Sequence, residues 1–237
     1  MHARPYGKCH ASLPVPVLPK NYFVPQMTGL HRDNRPRRTA AGVILGGGAS
    51  SRMGGDKALL RFRDGALLDA VIARAAPQVS PLALSVAADR EQTYRLRYPD
   101  YPLLFDAQPD RMGPLAGVIA GLKWARGLGD MEWLATFPCD APFLPRDLVA
   151  QLSSTARAAP VFAHHADRLH GVCALWPVDC LKPLEAGVQR GTLRSVHSAM
   201  EALDGMSCHV EADEHAFFNV NTREDLARAE ELASVAP

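Results

Sequence analysis

Between Leu45 and Lys57 the chain reads Leu-Gly-Gly-Gly-Ala-Ser-Ser-Arg-Met-Gly-Gly-Asp-Lys. Glycines carry no Cβ, so Gly46, Gly47 and Gly48 allow backbone N–H groups to close on an anion. Arg52 can grip a phosphate through two parallel hydrogen bonds, and Lys57 adds a compact positive charge. This combination suits a triphosphate. The loop contains no G-x-x-x-x-G-K-[ST] sequence, and Ser51 stands where a dinucleotide fingerprint has its third glycine. Two acidic segments complete the chemistry. Asp140, in Phe137-Pro138-Cys139-Asp140-Ala141-Pro142-Phe143, suits Mg2+, which one or two carboxylates hold together with substrate phosphates. The same residue type also caps helices, and Pro142 and Pro145 announce one. Asp106 precedes Gly113-Pro114, a pair that opens a helix whose N-terminus attracts negative groups.

These residues need a scaffold, and the pattern around them supplies one. Ala40 to Gly46 is a short apolar run ending in glycine, as in a buried strand. Leu82–Ala87, Pro102–Phe105 and Glu132–Phe137 read as further strands. Helical spacing marks Ala66–Ala76, Gly113–Arg126 and Pro145–Thr155. Alternation then becomes less regular through Pro160–Ala163, Val172–Trp176, Asp179–Val188, Thr192–Leu203 and Ser207–Val210. Thr222–Val235 is a final helix, capped by Thr222 with Glu224 and Asp225 in its first turn. Strands alternating with helices imply a three-layer, Rossmann-like α/β fold: a mostly parallel sheet with helices on both faces. In such sheets ligands sit beyond the carboxyl ends of the strands, where the loop after Leu45, Asp106 and Asp140 all fall.

Composition narrows the function classes. The 237 residues are 47% hydrophobic with a formal net charge of +1. This gives bulk charge no role in attracting nucleic acid or a membrane surface, and no apolar run is long enough to span a bilayer. Cys9, Cys139, Cys173, Cys180 and Cys208 are odd in number and form no C-x-x-C pair. Reduced thiols in a cytoplasmic protein are therefore expected, with Cys139 a small buried residue and not a nucleophile. Residues 1–38 carry six prolines and a single acid, Asp33, among many basic residues. They read as a disordered extension before one domain over 39–237. Arg37-Arg38 lacks the apolar segment that a twin-arginine signal requires. His164, His165 and His170 cluster without metal-ligand spacing. Arg190 and Arg194 read as solvated charges unless their loop borders the cleft.

The run L-x-G-G-x-x-x-R-M-G-x-D-K, together with P-C-D-A-P, G-P-L-A-G and F-N-V-N-T, resembles the molybdenum cofactor guanylyltransferase family over about Ala40 to Leu232. The resemblance implies a nucleotide-diphospho-sugar transferase-like fold and Mg2+-dependent transfer of GMP from GTP to molybdopterin or the molybdenum cofactor. It also implies partners among molybdoenzyme acceptors and cofactor-synthesis proteins. It assigns nucleotide binding to Leu45, Gly46, Gly47, Gly48, Lys57, Asp106 and Asp140, catalysis to Arg52, Lys57 and Asp140, and the metal to Asp140. Arg168, His170, Asn219 and Asn221 become pterin-side candidates, although turn chemistry explains the two asparagines equally well. Gly46 replaces an alanine common in the family, a small exchange expected to have little effect. The family's asparagine after the second strand falls on Ala87, with Asp89 two residues on. Cytidylyl transfer and a non-catalytic nucleotide-binding module are the competing readings.

Overall fold

The computed structural model describes residues 39–46, 56–105 and 113–235. All of these belong to one compact unit, Pro36–Pro237. The expected extension 1–38 lies outside the described residues.

A seven-stranded sheet forms the middle layer. At its centre β1 (Ala40–Leu45) lies between β4 (Leu82–Val86) and β6 (Trp133–Pro138), parallel to both. β5 (Leu103–Phe105) extends the sheet beyond β4. On the other side β8 (Arg168–Pro177) is antiparallel to β6 and to β7 (Val161–His165), and β7 runs parallel to β9 (Met206–His209). Among these strands only β8 runs against the common direction. A two-stranded hairpin, β2 (Arg61–Phe62) and β3 (Gly65–Ala66), stands apart from the main sheet. The register places Leu45 opposite Ser85 and Pro138, so the carboxyl ends of the three central strands lie level.

Successive side chains of a strand point to opposite faces, and β1 feeds two cores. Ile44 packs with Leu68 and Val71 of α1 (Leu67–Ala75) and with Leu148 and Leu152 of α4 (Leu148–Thr155). Val43 packs on the other face with Leu115 and Leu122 of α3 (Pro114–Gly127), Leu181 and Leu184 of α5 (Leu181–Gln189) and Val196 of α6 (Val196–Ala202). This is the three-layer, mostly parallel architecture the alternation implied. Two elements were not legible in advance: the β2–β3 hairpin and α2 (Glu91–Arg97).

Gly117 and Gly121 bring α3 close to the sheet. A Cβ on Gly117 would stand 2.8 Å from Leu45 Cδ2, and one on Gly121 2.8 Å from Leu134 Cδ2. The helix opens with Gly113 at φ +50° and Pro114 in its first turn, as the Gly-Pro pair predicted. The last helix, α7 (Arg223–Val235), sets Ala229 and Ala233 against Phe62, Leu67 and Val220.

β8 departs from regular pairing where it passes the end of β6. Phe162 faces Ala174 but Ala163 faces His170, so Gly171, Val172 and Cys173 bulge out of the β7–β8 ladder. Thr136, buried in β6, donates to the carbonyl of Val172 at 2.6 Å and accepts from the indole N–H of buried Trp176 at 3.3 Å. Thr136→Val keeps the volume and removes both bonds. It should cost about 1–3 kcal/mol, the penalty for leaving a buried donor and acceptor unpaired. Thr136→Ser should retain most of that stability, and urea unfolding midpoints of the two variants check the difference.

Candidate active site

Lys57 begins a short 3-10 turn, Lys57–Leu59, held in place by Asp56, whose carboxylate accepts from the N–H of Ala58 at 3.2 Å. The Lys57 side chain is 10% exposed, so its charge needs partners. Among the described residues it has two: Nζ donates to Asp140 Oδ2 at 2.5 Å and to Asn221 Oδ1 at 2.8 Å. Asp140 stands just past β6. Its backbone carbonyl accepts from Val220 N–H at 2.9 Å, tying the acidic loop to the Asn219–Asn221 segment. That segment is braced by the cap of α7. Asp225 accepts from the N–H groups of Asn221 and Thr222, both at 2.9 Å, and Thr222 Oγ1 accepts from Asp225 N–H at 3.1 Å. This reciprocal cap confirms Thr222 as the helix start. The same bonds, led by the Asn221 N–H, hold the Asp225 carboxyl below its usual range. Three segments far apart in the chain thus meet at the carboxyl edge of the sheet through Lys57, Asp140 and Asn221.

The alternative in which Asp140 caps a helix does not hold. α4 starts at Leu148 with Asp147 in the cap position, and the Asp140 carboxylate turns to Lys57. Burial, then the charge of Asp140, pushes the Cys139 thiol up to about 12, and the same two causes raise Cys173. Both stay protonated at neutral pH, which fits the reading of Cys139 as an inert buried residue. Burial and then the Asp56 carboxylate keep the Tyr94 phenol protonated. Tyr94 was not foreseen as part of this neighbourhood. Gly46 donates its N–H to the Ser85 carbonyl at 2.9 Å, and a Cβ there would stand 3.0 Å from the same oxygen. The family's alanine would therefore require the end of β1 or β4 to yield by a few tenths of an ångström, a tighter exchange than side-chain size alone suggested.

Arg168 and His170 lie on the β7–β8 hairpin, whose turn residues Ala166 and Asp167 have φ of +46° and +60°. Positive φ at both central positions is the primed turn that matches strand twist. His170 stacks on Phe217, two residues before Asn219 in the chain, with ring centroids 4.2 Å apart and an 18° tilt. His165 packs against the same ring at 5.4 Å and directs Nδ1 at the Val210 carbonyl, 3.0 Å away. Burial, then the charge of Arg168, holds the His170 pKa below the usual histidine value. Between that lowered pKa and about 6.5 the unfolded chain binds more protons than the folded one, so this contribution to stability is lost as pH falls through the window. His170→Phe should flatten the acid side of the stability profile, and thermal melts from pH 7 to 5 check it.

Gly47, Gly48, Arg52 and Asp106 lie outside the described residues. Leu45 and Gly46 end β1 level with Pro138, on the edge that carries Asp140. Asn219 is exposed, with its carbonyl 3.5 Å from the Asn221 amide nitrogen. Asp89 follows β4 at the same edge but is exposed and paired with its neighbour Arg90 at 3.3 Å. Arg190 and Arg194 are exposed, as expected of solvated charges. No group of three or more His, Cys, Asp or Glu among the described residues is arranged to hold a metal. The Asp140 carboxylate at the carboxyl edge of the sheet is of the kind that holds Mg2+ together with substrate phosphates and water.

A mostly parallel α/β sheet with a lysine and a carboxylate joined at the carboxyl ends of its central strands has the layout of a nucleotide-binding protein, and this chain belongs to the MobA-like NTP transferase domain family, whose model matches residues 42–207. Its relatives are narrower in kind. It is 38% identical over 204 residues to the molybdenum cofactor guanylyltransferase of Mesorhizobium japonicum, covering 83% of this chain and 97% of that one. Identity to the protein of the same name in Acidiphilium cryptum is 43% over 191 residues, with coverage of 79% and 92%. In fold it is similar to molybdopterin-guanine dinucleotide biosynthesis protein A of Archaeoglobus fulgidus, with a TM-score of 0.68 at 22% identity over 84% of this chain and 100% of that one. A 4-diphosphocytidyl-2C-methyl-D-erythritol synthase from Anaerococcus prevotii shares the fold at a TM-score of 0.62 and 11% identity, over 83% and 96% of the two chains.

Proposed function

We infer that this protein transfers GMP from GTP to molybdopterin or the molybdenum cofactor and releases pyrophosphate, forming a guanine dinucleotide cofactor. The observation that carries the reading is the convergence of Lys57, Asp140 and Asn221 at the carboxyl edge of the sheet, where the glycine loop leaves β1. A phosphate oxygen of the pterin attacks the α-phosphorus of GTP, and the bond to the pyrophosphate oxygen breaks. Such chemistry depends on positioning and charge neutralisation more than on acid–base groups.

In this reading the N–H groups of Gly47 and Gly48 cradle the triphosphate, while Leu45 and Gly46 set the start of the loop and the Gly46 N–H stays on the Ser85 carbonyl. Arg52 and Lys57 neutralise the departing pyrophosphate, and Asp106 orients the nucleoside. Asp140 holds Mg2+, which when bound neutralises phosphate oxygens as a Lewis acid. Arg168 and the flat ring of His170, fixed on Phe217, face the pterin side with Asn219. Asn221 has a nearer task, the support of Lys57. A cytoplasmic setting fits the supply of GTP, and molybdoenzyme acceptors fit the product.

The test is pyrophosphate release with molybdenum cofactor and each of GTP, CTP, ATP and UTP. Turnover with GTP and not CTP is expected, because polar groups arranged for guanine are left unpaired by cytosine. Preference for CTP would make the protein a cytidylyltransferase. GTP binding without pyrophosphate release would make it a carrier.

A further inference from the structure

We propose that Lys57 is the resident cation of the Asp140 carboxylate in the nucleotide-free protein, and that a triphosphate draws it away and so opens Asp140 to the divalent metal. The proposal rests on the reading of Asp140 as the metal-holding residue. Lys57 Nζ lies 2.5 Å from Asp140 Oδ2, so a divalent metal arriving at this carboxylate would meet a cation already paired with it. Asn221 Oδ1, at 2.8 Å, fixes the ammonium in that place. The backbones on both sides are anchored, Lys57 by its Asp56-capped turn and Asp140 by the bond from Val220. Exchange therefore falls to the lysine side chain, a point charge on a flexible four-carbon stem suited to swing from carboxylate to phosphate.

Two cations sharing one rim oppose each other, so the free protein binds a divalent ion weakly. Once phosphate oxygens take the ammonium, the carboxylate is left with a net charge that attracts the metal. By linkage, nucleotide and metal each raise the affinity for the other. Lys57→Gln keeps polar N–H donors on a stem one bond shorter and removes the charge.

Mn2+ binding, read by electron paramagnetic resonance without nucleotide, tests the exchange. Lys57→Gln should bind Mn2+ about tenfold more tightly than the wild type, a modest share of the coupling between close charges. Equal affinities would overturn the proposal. Lys57→Gln with Asp140→Asn should lose the gained affinity. If it keeps that affinity, the metal does not sit on Asp140, and the functional reading fails separately. A measurement on the unsubstituted protein covers a folding failure of these variants. The 1H–15N spectrum of the lysine ammonium groups should contain a slowly exchanging signal that shifts when GTP is added in EDTA. A signal unmoved by saturating GTP would likewise overturn the proposal.

Discussion

Asp140→Asn should lower guanylyl transfer about a thousandfold, close to 4 kcal/mol on the barrier, while the protein stays folded. The substitution preserves shape. An asparagine oxygen can still accept from Lys57 Nζ, and Asn221 still holds the same ammonium. The loop itself is fixed by backbone, through the bond from Val220 N–H to the Asp140 carbonyl, which the substitution does not touch. The cost in stability should therefore stay near that of a weakened charged hydrogen bond, about 1.5–3 kcal/mol. What disappears is the negative charge that, in the proposed mechanism, would hold Mg2+. Pyrophosphate release and a thermal melt on the same preparation separate the two effects. Activity within threefold of wild type would remove Asp140 from the reaction.

Lys57→Gln should reduce kcat/KM for GTP about a hundredfold, because in the proposed mechanism the departing pyrophosphate loses a neutralising charge. The same variant should bind Mn2+ more tightly without nucleotide, so its activity falls while its metal affinity rises. A merely structural role for Lys57 would lower both. Lys57→Arg should not restore the activity. The slot holds a side chain that is 10% exposed between Asp140 and Asn221, shaped for a compact ammonium and not a planar fork. Steady-state kinetics with saturating molybdenum cofactor check both variants, and wild-type kcat/KM in Lys57→Gln would exclude the phosphate role.

Much of the scaffold was legible because it rests on local signals. Leu67, Leu68, Val71 and Ala75 recur at helical spacing and are all buried in α1. Gly113-Pro114 and Thr222 mark helix starts by backbone and capping chemistry that depends on the nearest few residues. Continuous apolar runs such as Ala41–Leu45 can be satisfied only inside a sheet covered on both faces, as they are. Short elements escaped. The β2–β3 hairpin has two residues in each strand, too few for a period. The Ala166-Asp167 turn lacks the glycine that usually announces positive φ, so β8 was foreseen only from Val172 and its bulge not at all.

The sequence alone thus determined the order of the longer strands and helices, and with it the edge on which Leu45, Gly46 and Asp140 emerge. A strand's direction and the loop that follows it are local matters. Only the tertiary structure decided that Asn221 turns to Lys57 and that Lys57 turns to Asp140. Those bonds join residues 164 and 83 positions apart. Their partners are chosen by which loops packing brings together and by the need of a nearly buried ammonium for acceptors, neither of which is written in the neighbourhood of any one of the three residues.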